Sequence, residues 1–398
     1  MAAAKTFDAI VVGGGPAGAT AAADLAARGH AVLLLDRAGR IKPCGGAVPP
    51  RLIEEFDIPP QLLVAHVRRA RVVSPMSRRV DMPIDGGYVG MVDREIFDEW
   101  LRERAAARGA VRRNGVYLDL RHERDGTVTV RYQAQGAHEA SECRGRAVIG
   151  ADGAHSAVAR QRVAGGYSTP LVFAYHEVIR SPGRFAASEQ YDAARCDVFY
   201  NAGLSPDFYA WIFPHGDTAS IGTGSAVKGF SLRSAVTALR HATGLADRET
   251  VRREGAPIPL RPLPRWDDGR NVVLAGDAAG IVAPASGEGI YYAMAGGRLA
   301  ADAVHQFITS RDPRALRTAR RRFMRAHGSV FWILGMMQRY WYASDNRRER
   351  FVSICRDRDV QQLTFEAYMR KELVRARPAA HARIFFKNIA HLTGLAPV

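Results

Sequence analysis

Along the chain, continuous apolar runs, helical repeats and alternating segments follow one another in an order that predicts one split domain and one inserted one. "DAIVVG" (8–13) is an unbroken apolar run, the pattern of a strand buried on both faces. "GGGPAGATAAADLAARG" then supplies a tight turn and an alanine-rich helix, and "AVLLLD" a second strand ending in an acid. Residues 95–108, "EIFDEWLRERAAAR", carry the period of an amphipathic helix, and short alternating segments near 116–132 lead to "RAVIGADG". From about Leu171 to Ile258 the pattern becomes strand-like runs punctuated by Gly, Pro and Asp, which predicts a sheet domain. "NVVLAGDAAG" (271–280) returns to the buried-strand style of the start. The expected fold class is α/β, with α+β character in the second domain. The expected limits are 1–65 with 93–165 and 266–310 for a discontinuous nucleotide-binding domain, 66–92 with 166–265 for a β-sheet substrate domain, and 311–398 for a helical, basic C-terminal region.

Composition narrows the class without naming a chemistry. With 398 residues, 47% of them apolar, the chain has enough material for a sizeable core in two or three domains. Cys44, Cys143, Cys196 and Cys355 are scattered with no CxxC pair, so reduced thiols in a cytoplasmic compartment are expected and neither a disulfide nor a metal site is. The first apolar run starts at Phe7, so no cleaved leader is expected. From Pro313 onward there are 16 Arg and 2 Lys against 6 Asp and Glu, so this part carries a net +12 of the chain's +16. The basic residues alternate with apolar ones in "RRRFMRAHGSVFWILGMMQRYWYASDNRRERF", a pattern suited to an anionic membrane surface or to a solvated helix face. The apolar run Val330–Met337 is far shorter than the roughly 18 residues of a membrane span. No nucleic-acid motif accompanies the charge, so no nucleic-acid partner is expected.

Gly13-x-Gly15-x-x-Gly18 lies between a strand and a helix, and Asp36 ends the next strand. Glycines there let the backbone approach a pyrophosphate at a helix N-terminus, and the acid accepts from a ribose hydroxyl. This points to a dinucleotide without saying which. "FYAWIFPHGDTASIGTG" places Tyr209, Trp211 and Phe213 at alternate positions, so that on a strand they share one face and form a continuous apolar wall.

"VIGADGAHSAVAR" (148–160) and "NVVLAGDAAGIVAPASGEGI" (271–290) resemble the DG and GD motifs of the FAD-dependent family of aromatic hydroxylases and geranylgeranyl reductases. "KPCGG" (42–46) and the Tyr209-x-Trp211-x-Phe213-Pro214 … Gly222-x-Gly224 stretch are similar to signatures of the geranylgeranyl reductase branch. "IKPCGGAVPPRLIEEFDIP", "GGYVGMVDREIFDEWLRERAAARGA" and "GDAAGIVAPASGEGIYYAMAGGRLAADAV" extend the likeness to the chlorophyll and bacteriochlorophyll members over nearly the whole length. The resemblance implies a Rossmann-like FAD-binding domain with an inserted prenyl-binding sheet. It implies cofactor contacts from Gly13, Gly15, Ala17, Gly18, Asp36, Arg37, Cys44, Gly45, Gly46, Arg94, Asp152, Gly153, Gly276, Asp277, Gly287, Gly289 and Ile290. Among these Asp277 would reach the ribityl chain, and the turn from Gly287 would face the flavin pyrimidine. It implies a prenyl wall of Tyr209, Trp211, Phe213, Pro214 and Gly222, with Cys44 as the candidate catalytic residue beside the flavin ring.

The activity that the resemblance implies is reduction of three of the four double bonds of a geranylgeranyl chain to phytyl, as the diphosphate or as the (bacterio)chlorophyll ester. An isolated alkene is a poor hydride acceptor, so protonation must accompany hydride transfer, and Cys44, Glu288, Tyr291 and Tyr292 are the candidate acids. NADPH is the expected donor, with reduced ferredoxin as the alternative. The expected setting is peripheral, on the cytoplasmic face of a bacterial photosynthetic membrane, with chlorophyll synthase as a partner. Two rival readings are a flavin monooxygenase of the same fold, which would consume oxygen, and a non-catalytic flavin- or pigment-binding module docked on a membrane.

Overall fold

The computed structural model describes residues 6–37, 41–85, 87–166 and 168–371. The chain divides into two compact units: Met1–Lys42, Arg94–Leu171 and Pro257–Phe331 form the first, and Pro43–Asp93, Val172–Ala256 and Trp332–Val398 the second. The last part of the expected basic region, 372–398, lies outside the described residues.

In the first unit five strands run parallel in the order Val111–His122, Val32–Asp36, Thr6–Val12, Ala140–Gly150, Val272–Leu274. Numbered along the chain this is the 3-2-1-4-5 order of a dinucleotide-binding sheet. The two longest strands continue beyond the parallel part and pair antiparallel with Val128–Ala134. Ile10, Val11, Leu33, Leu34, Val148 and Ile149 are fully buried, which is why these strands read as unbroken apolar runs. The helix Pro16–Ala27 packs against both Ile290–Ser310 and Arg94–Ala107. Its alanine-rich sequence permits that approach: a Cβ on Gly297 would stand 2.2 Å from the carbonyl oxygen of Ala17.

The second unit is built on a seven-stranded sheet in the order Thr250–Pro259, Leu171–Arg180, Thr218–Ser225, Ala210–His215, Arg195–Phe199, Arg69–Val73, Arg79–Pro83. One face packs on the helix Leu232–Ala242 through Ile179, Ala210, Ile212, Ala219, Ile221, Val236 and Leu239. A three-stranded sheet of Ala47–Val48, Val89–Val92 and Leu63–Val67 belongs to the same unit. The segment 43–65, expected with the nucleotide-binding domain, therefore groups with the sheet domain. The reason is long-range pairing: those strands make their own sheet, and the adjoining Arg69–Val73 pairs parallel with Arg195–Phe199. The expected separate C-terminal region is likewise divided between the units at Phe331 and Trp332. Among the described residues no helix is long and apolar enough to cross a membrane.

Candidate functional site

The glycine turn of the first unit gives its three glycines different jobs. A Cβ on Gly18 would lie 1.8 Å from the carbonyl oxygen of Gly13, and one on Gly13 would lie 2.3 Å from that of Ala151, so the fold itself requires both. Gly15 is different: a Cβ there meets no protein atom within 4 Å, and its φ of −71° suits any residue. Open space at the N-terminus of a helix with no side-chain cap is what a pyrophosphate needs. Asp36 accepts from the Gly14 N–H at 2.9 Å, which holds its carboxylate at the turn, and Arg102 Nη1 stands 3.4 Å from its other oxygen and 3.3 Å from the Gly14 carbonyl. Arg102 comes from the third turn of a helix distant in sequence and carried no motif. These residues fit a dinucleotide.

The second glycine-rich segment opens the helix Ile290–Ser310, whose N-cap Gly289 likewise has no side-chain cap. The positive end of that helix favours an anionic ring edge near Gly289 and Ile290, while the Gly287 N–H is taken by the Ala283 carbonyl at 3.0 Å. Asp277 follows Gly276 in a short turn, is almost wholly buried, and is paired with Lys42, a residue that sequence reasoning passed over. Ala17 sits where this turn meets the first helix, 2.7 Å from the position of a Cβ on Gly276.

Two of the expected cofactor residues have side-chain partners within the protein. Asp152 accepts from Ser156 Oγ at 2.5 Å and from the N–H groups of Ala157 and Val158 at 2.7 and 3.2 Å, which makes it a cap of the helix Ala157–Arg162. Burial raises its pKa above the usual carboxylate range against the lowering effect of these bonds. Arg94 is buried and donates through Nε and Nη2 to the two oxygens of Asp98 at 2.8 and 2.7 Å, one helical turn on. Arg37 is exposed at the edge of the described residues. Gly153 has an open Cβ position, as Gly15 does.

In the second unit Tyr209, Trp211 and Phe213 share the sheet face opposite Leu232–Ala242, with ring centroids 5.9 and 6.1 Å apart in sequence order. Pro214 points to the alternate face, beyond the last residue paired with Arg195–Phe199, where a missing N–H leaves no ladder bond unmade. Gly222 lies directly across from Trp211, and a Cβ on it would reach to 2.2 Å of the indole. The glycine is there because the indole lies over it.

The Cys44-Gly45-Gly46 segment meets this wall. A Cβ on Gly45 would come within 2.8 Å of the Phe213 ring, so the loop backbone lies on that ring. Gly46 has φ of +70°, and its Cβ position is closed off by Val92 O and by His215 Nε2. The partly exposed thiol of Cys44 accepts from the Gly46 N–H at 3.4 Å. Two segments read separately in the sequence are thus one structure, and His215 joins them unannounced by any motif. Of the other candidate acids, Tyr291 and Tyr292 are buried in the first unit, where the Tyr292 ring packs edge-on to Phe331 at 4.9 Å. Glu288 lies in the turn ahead of their helix and is partly exposed.

His215 Nδ1 donates to the Phe213 carbonyl at 3.1 Å, and burial pushes its pKa down to about 4. An unfolded imidazole titrates near ~6.5, so between these values the unfolded chain binds the extra proton. The contribution of neutral His215 is complete above the unfolded value and is lost as pH falls towards the folded one. His215→Gln should flatten the pH dependence of the unfolding free energy, read by urea titration, in that window by about 1–3 kcal/mol. An unchanged slope would show that His215 protonates freely in the folded protein.

The parallel order, the glycine turn and the uncapped helix N-termini define a dinucleotide-binding protein of the Rossmann class, and residues 11–72 match the family model described as NAD(P)-binding Rossmann-like domain. Residues 223–373 match the model described as lycopene cyclase protein. The chain is 56% identical to the geranylgeranyl diphosphate reductase of Rhodobacter capsulatus over 98% of each chain. It is 37% identical to that of Synechocystis over 96% of this chain and 97% of the relative. It belongs to the geranylgeranyl diphosphate reductase family. Among solved structures, a geranylgeranyl bacteriochlorophyll reductase-like protein from Thermoplasma acidophilum superposes with a TM-score of 0.80 at 22% identity, covering 94% of this chain and 99% of that one. A flavin-dependent brominase superposes with a TM-score of 0.74 at 15% identity over 96% and 99%, a likeness of fold alone.

Proposed function

We propose that this protein is an FAD-dependent reductase that saturates three of the four double bonds of a geranylgeranyl chain, giving phytyl. The observation that carries the reading is the packing of Gly45 on Phe213. It joins the loop expected at the flavin ring to a row of aromatic side chains able to line a prenyl chain. Gly13, Gly15, Gly18 and Asp36 would hold the dinucleotide half of FAD, and Asp277 and the Gly287–Ile290 turn its flavin half. Reduced FAD supplies the hydride when bound. The aromatic wall excludes water, and its π faces favour the positive charge that protonation of the alkene develops. Cys44 is the candidate for holding that proton at Sγ, because its loop is the one that touches the wall.

NADPH is the proposed donor, with reduced ferredoxin as the alternative, and the substrate is the chain as diphosphate or as its (bacterio)chlorophyll ester. Purified holoenzyme with NADPH and each substrate should give products heavier by one, two and three pairs of hydrogens. Substrate-dependent oxygen uptake without such products would support a monooxygenase instead. Bound FAD that NADPH does not reduce in the presence of substrate would support a non-catalytic module.

The proposed setting is peripheral, on the cytoplasmic face of a photosynthetic membrane, near chlorophyll synthase. The helix Arg317–Trp341 supports it with an exposed stripe: Arg321 and Arg325, then Trp332 at 67%, Met336 at 49% and Tyr340 at 36% exposure. Basic residues near an anionic bilayer contribute about 1 kcal/mol each, and apolar side chains between them enter the headgroup boundary. Trp332→Ser with Met336→Ser should weaken binding to anionic liposomes by roughly a hundredfold or more, read by sedimentation, since each buried apolar side chain contributes about 1.5–3 kcal/mol. Binding should also weaken as salt rises. Equal recovery of the variant and the unaltered protein with the vesicles would remove this face from the contact.

A further inference from the structure

Four adjacent strands of the seven-stranded sheet each contribute one side chain to a buried chain of hydrogen bonds that ends on Trp211. Glu254 stands on the edge strand Thr250–Pro259, His176 on Leu171–Arg180, Ser220 on Thr218–Ser225 and Trp211 on Ala210–His215. Register brings them to one face: His176 opposes Gly222, which opposes Trp211, and Ser220 is two residues from Gly222. Trp211 Nε1 is 3.0 Å from Ser220 Oγ, Ser220 Oγ is 2.8 Å from His176 Nδ1, and His176 Nε2 is 2.9 Å from Glu254 Oε2. Arg252 Nε holds the other carboxylate oxygen of Glu254 at 2.9 Å.

The donors and acceptors run in one direction. The indole N–H has no acceptor capacity, so it donates to Ser220 Oγ. The hydroxyl hydrogen is then free for His176 Nδ1, and the imidazole, with its hydrogen on Nε2, donates to the carboxylate. Every link has one donor and one acceptor, and the ionised end lies beside a guanidinium. Such a chain is worth more to orientation than its separate bonds, because each group fixes the rotamer of the next. Plain core packing would be met by an apolar partner for the indole. Here two buried polar side chains and a half-buried carboxylate hold one N–H, and a polar group buried without its partner is costly.

We propose that His176 and Glu254 are positioning residues that lock the indole of Trp211 at one angle over Gly222, acting through Ser220, and so set how the prenyl chain lies against the wall. The inference rests on the reading that Trp211 faces the prenyl chain. Successive reductions require different double bonds of one chain to reach the same reacting position. A fixed indole gives the chain a defined surface to slide along, and a loose one lets partly reduced chains leave.

The test uses the holoenzyme. Ser220→Ala and His176→Phe each cut the chain, while Glu254→Gln keeps a carbonyl acceptor for His176 and serves as the conservative variant. The first two should raise KM for geranylgeranyl diphosphate about tenfold, the scale of one buried hydrogen bond, and release singly and doubly reduced products, with FAD content unchanged. Glu254→Gln should stay near the unaltered enzyme. In a Trp211→Phe background, which has the ring but no N–H, Ser220→Ala should add less than about twofold. An effect there as large as in the unaltered enzyme overturns the proposal. If Trp211→Phe alone leaves KM and products unchanged, the placement of Trp211 against the chain is what fails. The anchoring is then decided by fluorine NMR of protein labelled with 5-fluorotryptophan. The Trp211 resonance should broaden or split in Ser220→Ala, and a resonance that stays sharp and unshifted sinks the positioning role. That measurement also serves should any variant bind no substrate.

Discussion

Gly15→Val is expected to purify as a folded protein without its yellow colour. The expectation comes from the contrast within one motif. Gly13 and Gly18 are closed in by backbone atoms of their own unit, so a side chain at either disturbs the turn whether or not a cofactor is bound. The Gly15 position is open and its backbone is extended, so valine there is compatible with the protein and incompatible with a pyrophosphate. Affinity for FAD should fall by roughly a hundredfold or more, about 2.7 kcal/mol, as the helix N-terminus loses contact with the phosphates. Thermal unfolding of the variant should match that of FAD-stripped unaltered protein, because only the ligand's contribution is removed. Gly18→Ala should instead lower the stability of the stripped protein itself. A Gly15→Val protein that retains full flavin absorbance would show that the dinucleotide does not approach at this turn.

How much of this was legible in the sequence depended on the range of the contacts involved. The strand Thr6–Val12, the helix Pro16–Ala27 and the strand Val32–Asp36 are local units, and burial on both sheet faces wrote them as apolar runs. The helix Arg94–Ala107 lies within a residue of its expected limits because its amphipathic period is also local. The allegiance of 43–65 was hidden, since it depends on pairing with Val89–Val92 and on the adjoining Arg69–Val73, whose partner Arg195–Phe199 lies more than a hundred residues further along the chain. In the candidate site, period two alone put Tyr209, Trp211 and Phe213 on one face. His176, Ser220 and Glu254 carry no mutual spacing, because only sheet register makes them neighbours. Two candidate cofactor residues also have local partners that the sequence did contain: Arg94 and Asp98 are one helical turn apart, and Asp152 precedes the Ser156 N-cap by four residues.

Gly222→Ala should leave the flavin bound and remove most prenyl turnover. The added methyl would fall 2.2 Å from Cζ2 of Trp211 and 2.6 Å from Cβ of His176. The second of these atoms is fixed to a strand backbone and cannot swing away, so the indole must lift from the sheet. Lifting it stretches the bond from Nε1 to Ser220 Oγ and changes the angle between the Trp211 and Phe213 rings, on which the Gly45 backbone rests. Overpacking of this kind costs about 1–3 kcal/mol of stability. The loss in kcat/KM for geranylgeranyl diphosphate should be larger, about a hundredfold, because the wall is misplaced and the substrate is positioned by it. Gly224→Ala separates the two effects. Its methyl would lie 2.9 Å from Val172 Cγ1 and 3.0 Å from Phe208 Cδ1, which are side-chain atoms away from Trp211, so it should destabilise the unit while turnover persists. Thermal unfolding and product formation measured on both variants decide the matter. If Gly222→Ala loses stability as Gly224→Ala does and still reduces the chain at the normal rate, the pair of glycines serves packing alone and Trp211 belongs to the core.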